Sequence, residues 1–159
     1  LELVMPEIAR IGFMADSVRI PIPTESLIIL NVTFQTRMGP DGEAGVDRER
    51  LNGIYAEAAA GAQRGLLVYS EEQNVPADVT GMRAAVVIEG AETHTRTGVV
   101  EVDLASVAGL PAGLLGPLAS PVVKVGVTHA KVFGWYDNEY GSYTNLLGDL
   151  TVHVASSLD

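Results

Sequence analysis

The chain contains no cysteine. That absence excludes disulfides, thiolate-bound zinc and iron–sulfur clusters, and it leaves these 159 residues without a thiol nucleophile. Basic residues are scarce as well: 10 against 20 acidic ones, a net charge of -10, the wrong sign for gripping nucleic acid or an anionic membrane. Neither is expected as a partner. No apolar run approaches the roughly 20 residues of a bilayer-spanning helix, and the first residues lack the basic head of a secretion signal, so the expected location is cytoplasmic. Also missing is any G-x-G-x-x-G, the loop that lets backbone amides approach a dinucleotide pyrophosphate. The three histidines, His94, His129 and His153, are not at ligand spacing for one another, and no metal site is expected.

What is present suits a single domain with an ordinary core: 47% hydrophobic and 19% charged residues. Residues 18–36 read as one long strand region, with Leu30, Val32 and Phe34 alternating against Asn31, Thr33 and Gln35, an apolar core face and a polar face. Its first part, Arg19-Ile20-Pro21-Ile22-Pro23, is an extended, stiff lead-in, because each Pro fixes φ and lacks a donor. Gly39-Pro40-Asp41-Gly42 reads as a turn, and Asp47 as the N-cap of a helix ending near Gly61 or Gly65. Short strands are expected over residues 65–69, 84–88 and 99–104, a covering loop over 108–120, and a further strand region over 122–135 interrupted near Thr128-His129. Asp137-Asn138 offers a cap for an amphipathic helix carrying Tyr143, Leu146, Leu147, Leu150 and Val154 on one stripe. Together these elements predict an α+β fold, a mixed, largely antiparallel sheet with helices packed on one face.

Four segments carry a resemblance. The string Trp135-Tyr136-Asp137-Asn138-Glu139-Tyr140-Gly141 resembles the W-Y-D-N-E-x-G signature of glyceraldehyde-3-phosphate dehydrogenases. Arg19-Ile20-Pro21-Ile22-Pro23-Thr24-Glu25-Ser26 is similar to that family's R-V-P-x-P-x-x-S stretch, and Leu3-Val4-Met5-Pro6-Glu7-Ile8 to its L-V-L-P-E-L helix end. Tyr69-Ser70-Glu71-Glu72 is a fourth match. All four occur in the family's order, so residues 1–159 resemble the C-terminal portion of the catalytic domain, with the cofactor (Rossmann) domain and the family's S-C-T-T-N nucleophile motif outside this chain.

The resemblance implies a phosphorylating aldehyde oxidation through a cysteine thioester, with hydride passing to NAD or NADP, in glycolysis or gluconeogenesis. The implied partners are a phosphorylated aldehyde, inorganic phosphate, the missing N-terminal domain and further copies in a homo-oligomer, expected to be a tetramer. Glyceraldehyde 3-phosphate and erythrose 4-phosphate both fit as substrate. Arg19 is implied to hold the substrate's phosphate; read from its residues alone it is a surface arginine paired with a carboxylate such as Glu25 or Asp16. Asn138 is implied to orient the nicotinamide carboxamide, with Tyr143 nearby; by residue type it is a turn or cap residue whose carboxamide both donates and accepts. Ser142 stands as one residue extra between Gly141 and Tyr143. By itself the segment is expected to be inactive. The rival reading is a non-catalytic module of the same fold used for oligomer assembly or partner binding.

Overall fold

The computed structural model describes residues 3–111, 113, 116 and 120–158. The alternating run becomes strand β1, Glu25–Gln35, while residues 18–24 stay outside the sheet as the two prolines require. Gly42 donates to the Gly39 carbonyl at 3.0 Å and adopts φ 79°, which closes the expected turn. Asp47 then caps helix α2, Arg48–Ala60, by accepting from the Arg50 amide at 2.7 Å. The short helix α1, Ile8–Ile11, precedes β1. Past α2 come β2 (Leu67–Ser70), α3 (Pro76–Val79), β3 (Val86–Glu89), β4 (His94–Asp103), β5 (Val122–Asp137) and α4 (Ser142–Ser156).

Strand β5 organises the sheet. Along one edge it pairs antiparallel with the whole of β1, Glu25 opposite Asp137 and Gln35 opposite Val127. Its other edge is shared: β4 pairs antiparallel with residues 122–131, and β3 pairs antiparallel at Trp135 and Gly134. Strand β2 adds outside β3 in parallel. The sheet is therefore mixed and largely antiparallel, as expected. No helix among the described residues is long and apolar enough to cross a membrane.

Four expectations need correction. Strand β5 runs unbroken through Thr128-His129, because the polar pair finds cross-strand partners: Thr128 Oγ1 meets Thr97 Oγ1 at 2.7 Å, and His129 Nδ1 meets Thr33 Oγ1 at 2.9 Å. The supposed core face of β1 is not covered, Leu30 and Val32 remaining 42% and 39% exposed. Helix α4 forms, but its apolar stripe is open too, Leu147 at 64%. Finally, Asp137 does not cap α4; that position is Gly141, and Asp137 serves the turn before it. The loop expected over residues 108–120 lies partly outside the described residues.

The exposed surface totals 11661 Å², about half as much again as the roughly 7,700 Å² of a compact monomer of this mass. Burial follows the even positions of β5 from Gly126 to Gly134, with Thr36 at the far end of the sheet, and includes Val79, Ala84, Val87, Ile88, Thr24, Glu25, Asp137 and Ser142 at the other end. This is the end that carries the Trp135–Gly141 string.

Candidate functional site

The turn that follows β5 is built around one carboxylate. Asp137, 1% exposed, accepts from the Glu139 and Tyr140 amides at 2.8 and 3.0 Å through Oδ1, and from the Gly81 amide at 2.6 Å through Oδ2. Burial alone raises its pKa, but these backbone donors outweigh burial and hold the carboxyl below its ordinary range. Ser142 is fully buried and donates its hydroxyl to the Asp137 carbonyl at 2.9 Å. Gly141 is required by space: a Cβ there would lie against the Met82 carbonyl oxygen. Trp135 enters the turn held by its indole N–H on Glu89 at 2.8 Å, and Glu89 also accepts from the Asn74 amide at 2.7 Å.

Asn138 sits at the head of this turn. Its amide donates to the Thr24 carbonyl at 2.9 Å, extending the β1–β5 ladder, and its side-chain Nδ2 donates to Ser26 Oγ at 2.8 Å. The carboxamide makes no helix cap. Its Oδ1 has no hydrogen-bond partner among the described residues, and the residue is exposed. Two of the motifs singled out in the sequence, 112 residues apart, thus meet at the bond from Asn138 to Ser26.

Arg19 lies on the same chain segment, five residues before Thr24, hence within about 18 Å of it even if fully extended. It is exposed and forms no ion pair among the described residues, so neither Asp16 nor Glu25 claims it. Glu25 is engaged elsewhere, accepting from the hydroxyls of Thr24 and Thr80. Tyr143, in the first turn of α4, sets its ring edge-on to Tyr136 at 6.0 Å between centroids and makes no recorded hydrogen bond to Asn138. Its hydroxyl pKa is raised by burial and by Tyr136. No group of three or more His, Asp or Glu among the described residues could hold a metal ion.

Ser26 and Gly81 carry no mark of their roles in the sequence. Ser26 belongs to a recognisable string, but its partner is far away in the chain. Glu89 had one weak signal, an acidic residue closing the apolar run Val86-Val87-Ile88 in a chain whose single Trp needs an acceptor.

Glu25 and Asp137 face each other across β1 and β5, and both are held below the ordinary carboxylate range, Glu25 by the Thr80 hydroxyl first and Thr24 second. A depressed carboxyl contributes stability that is complete above its unfolded pKa and is lost as pH falls through the folded one. Acid should therefore loosen this end of the sheet below about pH 4. Glu25→Gln keeps an acceptor for Thr80 but removes the titration, so its melting temperature should fall less steeply between pH 5 and 3. Coincident slopes for the two proteins would count against Glu25 as a source of the acid sensitivity.

Comparison with known proteins bears on this turn. No family model matches the chain. It is 34% identical over 156 residues to glyceraldehyde-3-phosphate dehydrogenase 2 of Streptomyces arenae and 32% identical over 157 residues to glyceraldehyde-3-phosphate dehydrogenase 1 of Streptomyces avermitilis. Against glyceraldehyde-3-phosphate dehydrogenase 1 of Bacillus subtilis it is 27% identical over 155 residues. Each match covers 98% of this chain and 35% of the relative, so the chain spans about a third of the length of the curated relatives it matches.

Proposed function

We propose that this chain, similar over nearly its whole length to part of glyceraldehyde-3-phosphate dehydrogenases, is the C-terminal portion of the catalytic domain of a phosphorylating enzyme of that family. The observation that carries the reading is the junction of its two strongest motifs, Asn138 seated on Thr24 and Ser26. The open faces of β1 and α4 accord with a longer polypeptide or further copies covering them.

In this reading the whole protein oxidises a phosphorylated aldehyde, forming a thioester on a cysteine outside these residues that inorganic phosphate then cleaves. Arg19 binds the substrate's phosphate through its planar fork. Asn138 meets the cofactor's carboxamide, and the fit is chemical: an exposed carboxamide whose Oδ1 is unpaired among the described residues suits the N–H of a primary amide. Tyr143 flanks that position. The nicotinamide of NAD or NADP, when bound, supplies the hydride acceptor. Asp137 holds the turn so that the Asn138 carboxamide is set before the cofactor arrives, which lowers the ordering cost at binding.

Asn138→Ala tests this assignment in the complete protein. The side chain is exposed and caps no helix, so melting should change little, while single-turnover hydride transfer should slow about tenfold through loss of the orienting contact. Unaltered hydride transfer in a well-folded variant would leave Asn138 a turn residue only.

A further inference from the structure

We propose that a groove along β4 and β5 binds a small organic acid, a carboxylate carried on an apolar body, at a place separate from the turn that holds Asn138. The cavity measures about 390 Å³, and its lining includes Arg96, Gly98, Val100, Val127 and His129. Sites for small molecules typically occupy roughly 300 to 1,000 Å³. These five residues share one face of the sheet. In the register of the two strands Arg96 lies opposite His129 and Gly98 opposite Val127, while Val100 follows Gly98 by two positions.

One end of the groove is cationic. The row beside Arg96 and His129 pairs His94 with Lys131, so basic residues occupy a two-by-two block on one face. Strand β1 extends the same rows with Thr33 and Asn31, and neither row holds an acidic residue. Like charges set opposite each other in a sheet cost stability. A chain with 20 acidic residues against 10 basic ones nevertheless places no carboxylate in these rows. The recorded ion pair of the block joins His94 Nε2 to Glu92 at 3.8 Å. Arg96 and Lys131 have no carboxylate partner among the described residues, so their charge is open to an anion.

The other end is apolar and open. A Cβ added at Gly98 would meet nothing within 4 Å, and Val100 is 50% exposed beside it. An acidic head group lies against the Arg96 fork, which matches a planar carboxylate with two parallel bonds. His129 adds a second contact: its Nδ1 meets Thr33 Oγ1 at 2.9 Å, and its Nε2 has no recorded partner among the described residues. An anion favours the charged ring, in which both nitrogens donate, so Thr33 accepts from Nδ1 and Nε2 is left for the head group. A bare anion would leave the valine walls unused, and a neutral apolar molecule would leave the charge uncompensated.

The test uses the complete protein with saturating nicotinamide dinucleotide and inorganic phosphate, so that the contacts proposed for catalysis are already filled. Ligand-observed NMR titrations then compare hexanoate with its two parts, acetate for the head group and 1-hexanol for the body. Hexanoate should bind about tenfold more tightly than either. Arg96→Ala should weaken hexanoate about tenfold, the low end for a lost hydrogen bond to a charged group, and leave 1-hexanol unchanged. Gly98→Val puts a strand-favouring side chain into the open space and should weaken hexanoate and 1-hexanol together. The two variants act on opposite ends of the groove, so either one checks the site if the other folds poorly.

Equal affinity for hexanoate and 1-hexanol, or hexanoate binding that survives Arg96→Ala intact, would make the groove an apolar patch and overturn the proposal. So would the absence of hexanoate binding to well-folded wild type, since the rest of the polypeptide or a further copy would then cover this face. Asn138→Ala separates the groove from the candidate cofactor contact. Hexanoate should bind that variant as tightly as wild type, and a loss there would place the probe at the Asn138 turn and refute the assignment to β4 and β5.

Discussion

Asp137→Ala should destabilise the complete protein by roughly 3 kcal/mol, because it strips a buried carboxylate from three backbone donors and leaves them without partners. The penalty combines the lost charge-assisted bonds with the cost of leaving the Gly81, Glu139 and Tyr140 amides short of a partner in a part-buried turn. Asp137→Asn should fall between, keeping one oxygen for the Glu139 and Tyr140 amides but turning an NH₂ toward the Gly81 N–H. The measurement is the denaturant midpoint of the three proteins at pH 7. An Ala variant within about 0.5 kcal/mol of wild type would mean that water replaces the carboxylate and that the turn is held by other contacts.

The elements that the sequence made legible are those whose signals are local. Asp47 precedes its helix and caps it, and the Gly39-Pro40-Asp41-Gly42 turn closes on itself within four residues. What sequence reading missed depends on distant partners. Thr128 and His129 look like an interruption in a strand until Thr97 and Thr33 lie opposite. For the same reason the start of β4, His94-Thr95-Arg96-Thr97, escapes the eye: its residues are polar by type and become strand because β5 pairs with them.

Alternation along β1 and the stripe along α4 gave the right secondary structure and the wrong environment. A period of two or of three and four says which side chains share a face. It does not say whether the covering surface belongs to the same 159 residues. Leu30, Val32 and Leu147 are apolar and open in this chain, while its relatives are nearly three times as long.

The candidate site was legible through a resemblance carried by whole strings, and only thinly through chemistry. Residue by residue, Asp137 and Asn138 looked like a cap for the last helix. The fold gives the cap to Gly141, commits Asp137 to the turn, and leaves the Asn138 side chain with Ser26 as its recorded partner. Removing the capping role simplifies the functional question, because a change at Asn138 no longer mixes helix stability with ligand contact.

Arg19→Ala should lower kcat/KM for glyceraldehyde 3-phosphate about 10- to 150-fold, the equivalent of losing a charge-assisted hydrogen bond worth about 1.5 to 3 kcal/mol. Three observations support this size. The guanidinium has no carboxylate partner among the described residues, so its charge is not already neutralised. Pro21 and Pro23 stiffen the segment beyond it, which limits the backbone freedom to be lost when the anion binds. Thr24 then ties that segment to Asn138, so the two proposed contacts would share one frame. Arg19→Lys should recover part of the loss, since an ammonium keeps the charge but not the planar fork. Unphosphorylated glyceraldehyde is the discriminating substrate: it should react nearly as well with Arg19→Ala as with wild type. An equal proportional loss for both aldehydes would remove Arg19 from phosphate recognition and make it a support for the lead-in to β1.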